Sequence, residues 1–236
     1  MTTTSPSPLA RLDHATVTGR VSEITLDVHP GHRLALIGRS GAGKTTIMRL
    51  LMGTITPDGG TATTPRTFSY IPQDVDASLN PHMSILDIIT EPIAIARGTR
   101  AGRQAHPAAS ELLTSLGLDP HLGHRRAAQL SGGQRQRVAI ARALINQPDI
   151  IFADEAISAL DHTTAQLCLD SIERSGAALV LITHDLYAAA SICDSYLLLD
   201  GGTIAEQGPA SRLLTNDDNA SDARKELLAA EEVLAQ

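Results

Sequence analysis

Residues 38–46 read Gly38-Arg39-Ser40-Gly41-Ala42-Gly43-Lys44-Thr45-Thr46, and this stretch decides the fold. Ahead of it runs a short apolar segment, Leu34-Ala35-Leu36-Ile37, of a strand's length. Behind it, residues 45–52 have helical character and stop at Gly53. In the order strand, glycine loop, helix, a G-x-x-x-x-G-K-[ST] pattern predicts a phosphate-binding loop rather than a chance run of glycines. Glycines let the backbone wrap closely round phosphates with several N–H groups pointing inward. The helix start that follows favours negative charge. In such a loop Lys44 reaches the β- and γ-phosphates and the Thr45 hydroxyl ligates Mg²⁺. Alone, the pattern specifies only a nucleoside triphosphate, since kinases, GTPases and motors share it.

A second stretch, Ile150-Ile151-Phe152-Ala153-Asp154-Glu155, is a four-residue apolar strand with two acids at its end. Ligands of open α/β sheets bind at the carboxyl ends of strands. Asp154 can there hold Mg²⁺, mostly through water, and Glu155 can polarise an attacking water as general base. A third stretch, Leu130-Ser131-Gly132-Gly133-Gln134, opens an apolar-patterned helix, RQRVAIARAL. Ser131 reads as its N-cap, and two glycines beside a hydroxyl leave the helix start open to close approach by another phosphate.

With the first two stretches in place, the third resembles the LSGGQ signature of ABC ATPases. The resemblance runs from about residue 24 to residue 208. It implies an α/β fold: a phosphate-loop, RecA-like core with an antiparallel β edge and an inserted helical subdomain. It also implies that two subunits pack head to tail, each ATP lying between the loop of one and the signature of the other. Ser131, Gly132, Gly133 and Gln134 would then contact nucleotide held by the partner. Gln73, in IPQD, resembles the Q-loop glutamine that senses Mg²⁺ and the attacking water. Ser158 and Asp161 match the D-loop at the subunit interface, and His184, in ITHD, matches the switch histidine at the γ-phosphate. The site set implied is Gly38, Arg39, Ser40, Gly41, Ala42, Gly43, Lys44, Thr45 and Thr46 for nucleotide, with Glu155, His184 and Gln73 catalytic. Thr45, Gln73 and Asp154 would serve Mg²⁺.

The segment DVDASLNPHMSILDIITEP, residues 74–92, is similar to the matching region of peptide and nickel import ATPases, where the membrane subunit's coupling helix docks. This resemblance implies an importer of peptides, nickel or metal-chelate complexes. It also implies a second ABC ATPase subunit, identical or related, two transmembrane permease subunits, and an extracytoplasmic solute-binding protein engaged indirectly. The chain stops soon after its core and lacks the cysteine cluster of some peptide relatives, so it looks closer to short nickel or metallophore subunits.

Periodicity places strands at residues 24–28, 33–37, 67–71, 149–153, 177–183, 196–199 and 203–206, with a hairpin signal at Asp200-Gly201-Gly202. Helices are expected at residues 84–96, 107–116, 131–145, 163–174, 186–192 and 221–235, with a polar connection rather than a helix between the first two. The expected division is a core of residues 12–73 and 147–215, a helical subdomain of residues 74–146, and a C-terminal helix of residues 219–236. Residues 1–15 read as a loose polar leader with no signal-peptide core.

The 236 residues carry a net charge of −7 and no Lys/Arg block, which argues against nucleic-acid binding. No apolar run approaches the roughly 20 residues needed to cross a bilayer. The expected location is the cytoplasmic face of the membrane, reached through other chains. Cys168 and Cys193 stand apart in apolar surroundings and read as small buried hydrophobes. The nine histidines are scattered, and only His121 and His124 are close, which gives no metal-site spacing.

Many ABC ATPases place an aromatic residue before the first core strand to stack on adenine. Residues 12–21 contain no Phe, Tyr or Trp, leaving His14 or Val17 as weak substitutes. Base recognition should therefore be loose. In competition binding, GTP is expected to displace ATP at comparable concentration, and strong adenine selectivity would refute this.

Overall fold

Parallel strands buried on both faces need continuous apolar runs, and half-covered antiparallel strands need alternation. Both patterns occur in this chain, and they separate two sheets. In the computed structural model the described residues are 7–155, 160–215 and 220–234, excepting the side chains of His162 and of residues 231–234. The order is β1 (Ala10–Val17), β2 (Val21–Val28), β3 (Arg33–Gly38), α1 (Lys44–Leu51), β4 (Gly59–Thr63), β5 (Phe68–Ile71), α2 (Val75–Ser78) and α3 (Ile85–Arg97). There follow α4 (Thr99–Gln104), α5 (His106–Ser115), α6 (Gly132–Leu144), β6 (Ile150–Asp154), α7 (His162–Ser175), β7 (Ala178–Ile182), α8 (Leu186–Ile192), β8 (Ser195–Asp200), β9 (Thr203–Pro209) and α9 (Asp222–Leu234).

The chain divides into two compact units, residues 1–68 with 178–236, and residues 69–177. In the first unit, β1 pairs antiparallel with both β2 and β4, giving a three-stranded sheet in the order β2-β1-β4. Beside it run four neighbouring strands in the order β7-β3-β8-β9. β3 is parallel to β7 and to β8, and β8 turns back antiparallel into β9. The central strand is buried from Leu34 to Gly38, as its apolar run requires. α1 covers it with five buried residues, from Thr46 to Leu51. The second unit holds β5 beside β6, with helices α2 to α7. Here α3 buries Ile85, Leu86, Ile88 and Ile89, and α6 buries Val138, Ala139, Ile140 and Ala141.

Two expectations are corrected, and one strand, β4, is additional to those expected. The polar leader ends earlier than its composition suggests. From Ala10 the chain is strand β1, with Ala10, Leu12 and Ala15 fully buried. Register shifts after Leu12 and after Ala15 break its alternation, which hides it from a period-two reading. Residues 1–6 lie outside the described set. β4, GGTAT, has no buried residue and owes its strand form to pairing with β1. The expected polar connection between α3 and α5 contains helix α4, where buried Gly102 meets Ala94 so closely that a Cβ would lie 2.8 Å from it.

Among the described residues no helix is long and apolar enough to cross a membrane. Cys168 and Cys193 are both free and buried, and burial pushes each thiol up to about 12. The thiolate is the reactive form. An aromatic disulfide reagent at pH 8 should therefore leave both thiols unmodified in the folded protein and titrate both once it is unfolded.

Candidate functional site

The phosphate loop begins where β3 ends. Gly38 has φ +147°, Gly41 +81° and Gly43 +104°, all in the region that glycine tolerates and other residues do not. Close packing adds to this at both ends of the loop. A Cβ on Gly38 would lie 2.4 Å from the Leu199 carbonyl oxygen, and one on Gly43 would lie 2.5 Å from Val21 Cγ1. A Cβ on Gly41 would meet nothing within 4 Å. Lys44 folds back over the loop, its Nζ donating to the carbonyls of Gly38 at 2.6 Å and Arg39 at 2.9 Å. The Ala42 N–H donates to Arg39 O at 3.1 Å.

α1 starts on Gly43 with no side chain capping its first turn. Side chains cap α3 (Ser84), α6 (Ser131), α7 (Asp161) and α8 (Asp185), while α4 and α5 start, like α1, without one. The first N–H groups of a helix have no partner within the helix. An anion at the start of α1 would meet them, as the helix dipole favours. Thr45 is exposed on this first turn, while Thr46 beside it is 6 % exposed and belongs to the packing.

His184 stands in the same unit, just beyond β7. β7 runs parallel to β3 with Leu36 opposite Ile182, and the Thr183 N–H donates to Leu36 O at 3.4 Å. The loop and His184 thus leave the same end of adjacent parallel strands. Asp185 then turns the chain, accepting from Ala188 N at 2.8 Å to start α8.

The second unit carries the other expected residues. β6 is buried from Ile150 to Ala153 and delivers half-buried Asp154 and Glu155. Glu155 has φ +53°, a strained value for a side-chain-bearing residue. Gln73, two residues past β5, donates from Nε2 to Glu155 Oε2 at 2.7 Å. The structure thus pairs two residues that stand far apart in the sequence. Asp161 caps α7, accepting from Thr164 N at 3.1 Å, and the hydrogen bonds from Thr164 hold its carboxyl below the ordinary range. Ser158 lies outside the described residues.

At α6, Ser131 and Gln134 form a reciprocal capping box. Ser131 Oγ accepts from Gln134 N at 3.3 Å, and Gln134 Oε1 accepts from Ser131 N at 2.9 Å. The glycines between them are not required by packing. A Cβ on Gly132 would meet nothing within 4 Å, and one on Gly133 only Leu160 Cδ2 at 3.9 Å. Two arginines of α6 strap it to α2. Arg135 forks onto both carboxylate oxygens of Asp76, at 3.0 Å to Oδ2, and Arg142 donates to Ser78 O at 2.6 Å. α2 follows Gln73, so within this unit the glutamine and the start of α6 are mechanically tied.

The two candidates for base contact fare differently. His14 sits on the β1 bulge at φ +48° and holds Glu23 Oε2 at 2.9 Å. Val17 pairs with Val21, the residue that packs on Gly43. Sequence reasoning had no signal for the packing of Val21 on the loop, because that contact joins separate strands of no distinctive composition.

A profile of the family described as "ABC transporter" matches residues 21–158. The chain is 37% identical over 202 residues to "Probable D,D-dipeptide transport ATP-binding protein DdpF" of Escherichia coli, covering 83% of this chain and 65% of that protein. It is 37% identical over 209 residues to "Nickel import ATP-binding protein NikE" of Pseudomonas putida, covering 80% of this chain and 76% of that one. Relatives of similar identity are named for iron, sulfonate and molybdenum import and for lipoprotein release. Among solved structures, the dimeric ATP-binding cassette MJ0796 in a post-hydrolysis state bound to ADP and Pi superposes with TM-score 0.73 at 25% identity, over 85% of this chain and 98% of that one. The chain spans only 41%, 65% and 60% of the length of three curated relatives that it matches over most of itself.

The contrast between the glycines is testable without nucleotide. Gly38→Ala should destabilise the fold by about 1–3 kcal/mol, from backbone strain and the clash with Leu199. Gly132→Ala should hold or raise the thermal midpoint, and melting curves of both variants measure this.

Proposed function

The chain belongs to the ABC transporter family, with the α/β architecture of ABC ATPase cassettes, and from that premise we propose that it hydrolyses ATP to drive an importer. The observation that carries the reading is the hydrogen bond from Gln73 to a strained Glu155 at the end of a buried strand. Hydrolysis needs a carboxylate fixed against solvent disorder and aimed at one water, and an amide donating to one of its oxygens does that.

The residues divide the work by chemistry. The bare first turn of α1 and the loop backbone of Gly38, Arg39, Ser40, Gly41, Ala42 and Gly43, with Thr46 behind them, bind the phosphates. Lys44 exchanges its two loop carbonyls for β- and γ-phosphate oxygens, a charge-assisted gain. Glu155 takes the proton of the attacking water, Gln73 orients that carboxylate, and His184 donates to the γ-phosphate. Mg²⁺, when bound, neutralises charge on the β- and γ-phosphates. Thr45, Gln73 and Asp154 would hold it, because all three offer hard oxygen donors and Mg²⁺ needs only one or two carboxylates beside phosphates and waters. Catalysis of this kind is positioning and electrostatics more than covalent chemistry.

The start of α6 supports a site shared between subunits. Its glycines cost helix stability, and no neighbour among the described residues demands them. Ser131, Gly132, Gly133 and Gln134 therefore meet the γ-phosphate of ATP held by a second ABC ATPase subunit, identical or related. Asp161 lies at that interface. The helical segment of residues 74–146 passes the motion to two permease subunits at the cytoplasmic face of the membrane, and a solute-binding protein acts beyond them. The cargo class is peptides, nickel or metal-chelate complexes. Residues 74–92 and the names of the dipeptide and nickel relatives support it.

Glu155→Gln should keep ATP affinity, cut hydrolysis by at least about a hundredfold, and accumulate a nucleotide-filled closed dimer on sizing. Turnover at the wild-type rate would remove Glu155 from the role of base.

A further inference from the structure

The phosphate loop has a side-chain contact that its own motif does not explain. Arg39, the residue after Gly38, pairs through Nη1 with Glu226 Oε2 at 3.2 Å. Glu226 lies on α9, the helix that closes the described chain. α9 is fixed to the first unit two residues earlier by Arg224, a charged side chain only 1% exposed. Arg224 donates from Nη1 to Arg212 O at 2.9 Å and to the Tyr196 hydroxyl at 3.3 Å, and it pairs with Glu206 Oε1 at 3.1 Å. Glu206 also accepts from Tyr196 and from Ser221 N, the latter at 2.9 Å just before α9 begins. A buried guanidinium with three oxygen partners on Nη1 is costly to place and is hard to dislodge once placed.

Tyr196 lies on β8 and Glu206 on β9, and β8 is hydrogen-bonded to β3, whose last residue is Gly38. A closed circuit results: β3 to the loop, Arg39 to Glu226, α9 to Arg224, and Arg224 through Glu206 and Tyr196 back to β8 beside β3. Lys44 and Ala42 restrain the loop locally, and the pair with Glu226 adds a side-chain tie to a distant helix.

We propose that α9 is a brace for the phosphate loop, with Glu226 a positioning residue that holds Arg39 and so pre-orders the loop for nucleotide. The inference rests on the phosphate loop being the nucleotide site, as proposed above. Pre-ordering removes part of the entropy cost of binding, so the brace acts on affinity and not on the chemical step. Arg39 and Glu226 side chains are 69% and 59% exposed, which limits the effect to about two- to fivefold.

Fluorescent ATP-analogue titration, together with steady-state hydrolysis by the assembled transporter, tests this on wild type, Glu226→Gln, Arg39→Gln and the double variant. Glu226 is exposed, so its substitution leaves the fold intact. The brace predicts that Glu226→Gln weakens nucleotide affinity and raises KM about two- to fivefold with kcat unchanged. It predicts no further loss when Glu226→Gln is added to Arg39→Gln, and partial recovery with Glu226→Asp. Unchanged affinity, tighter binding in Glu226→Gln, or an equal loss in the Arg39→Gln background would each overturn the brace while leaving the nucleotide site standing. Absence of nucleotide binding by the wild-type chain would overturn the site itself, and the brace with it.

Discussion

α1 begins on Gly43, a cap residue that offers no side chain to the N–H groups of its first turn. That bare start shapes what surrounds it. Gly43 must stand at the cap with left-handed φ, because any Cβ there would strike Val21. Gly38 must lie flat against Leu199. β3 must be buried and flanked by parallel neighbours so that its end, and the end of β7, open to the same side. Lys44 meanwhile ties the loop to itself through two carbonyls, which keeps a cation in place before any phosphate arrives.

The second unit shows the opposite treatment of a helix start. α6 is fully capped, with Ser131 and Gln134 each satisfying the other's backbone. Its glycines are thus not compensation for strain inside the chain. A Cβ at either glycine would meet no described neighbour closer than 3.9 Å. Arg135 and Arg142 hold that helix to α2, and α2 follows directly from Gln73, whose amide grips Glu155. A chain of side-chain contacts thus connects the segment after Gln73 with α6.

Much of this was legible in the sequence because the informative features are local. The run Leu34 to Ile37 ahead of the glycines, and Ile150 to Ala153 ahead of two acids, signal strands by composition alone. Ser131 announces a cap, and Asp161 does the same for α7. β1 escaped because its register shifts spoil the alternation of Ala10, Leu12 and Ala15. β4 escaped because a strand with no buried residue has no apolar pattern. α4 escaped because Gly98 and Gly102 resemble a linker until the contact of Gly102 with Ala94 is known. The bond between Gln73 and Glu155, and the ion pair between Arg39 and Glu226, join residues too far apart for any periodicity to report them.

On the proposed reading, the first turn of α1 receives one phosphate and the start of α6 meets another held outside the chain. The central claim is that neither suffices alone. The most direct measurement is the rate of ATP hydrolysis per subunit as the chain passes from isolated monomer to complex with a second ATPase subunit, a copy or a relative. The account predicts no turnover in the monomer and a rate that rises with the fraction paired. A full rate in the monomer, independent of concentration and of any partner, would contradict it.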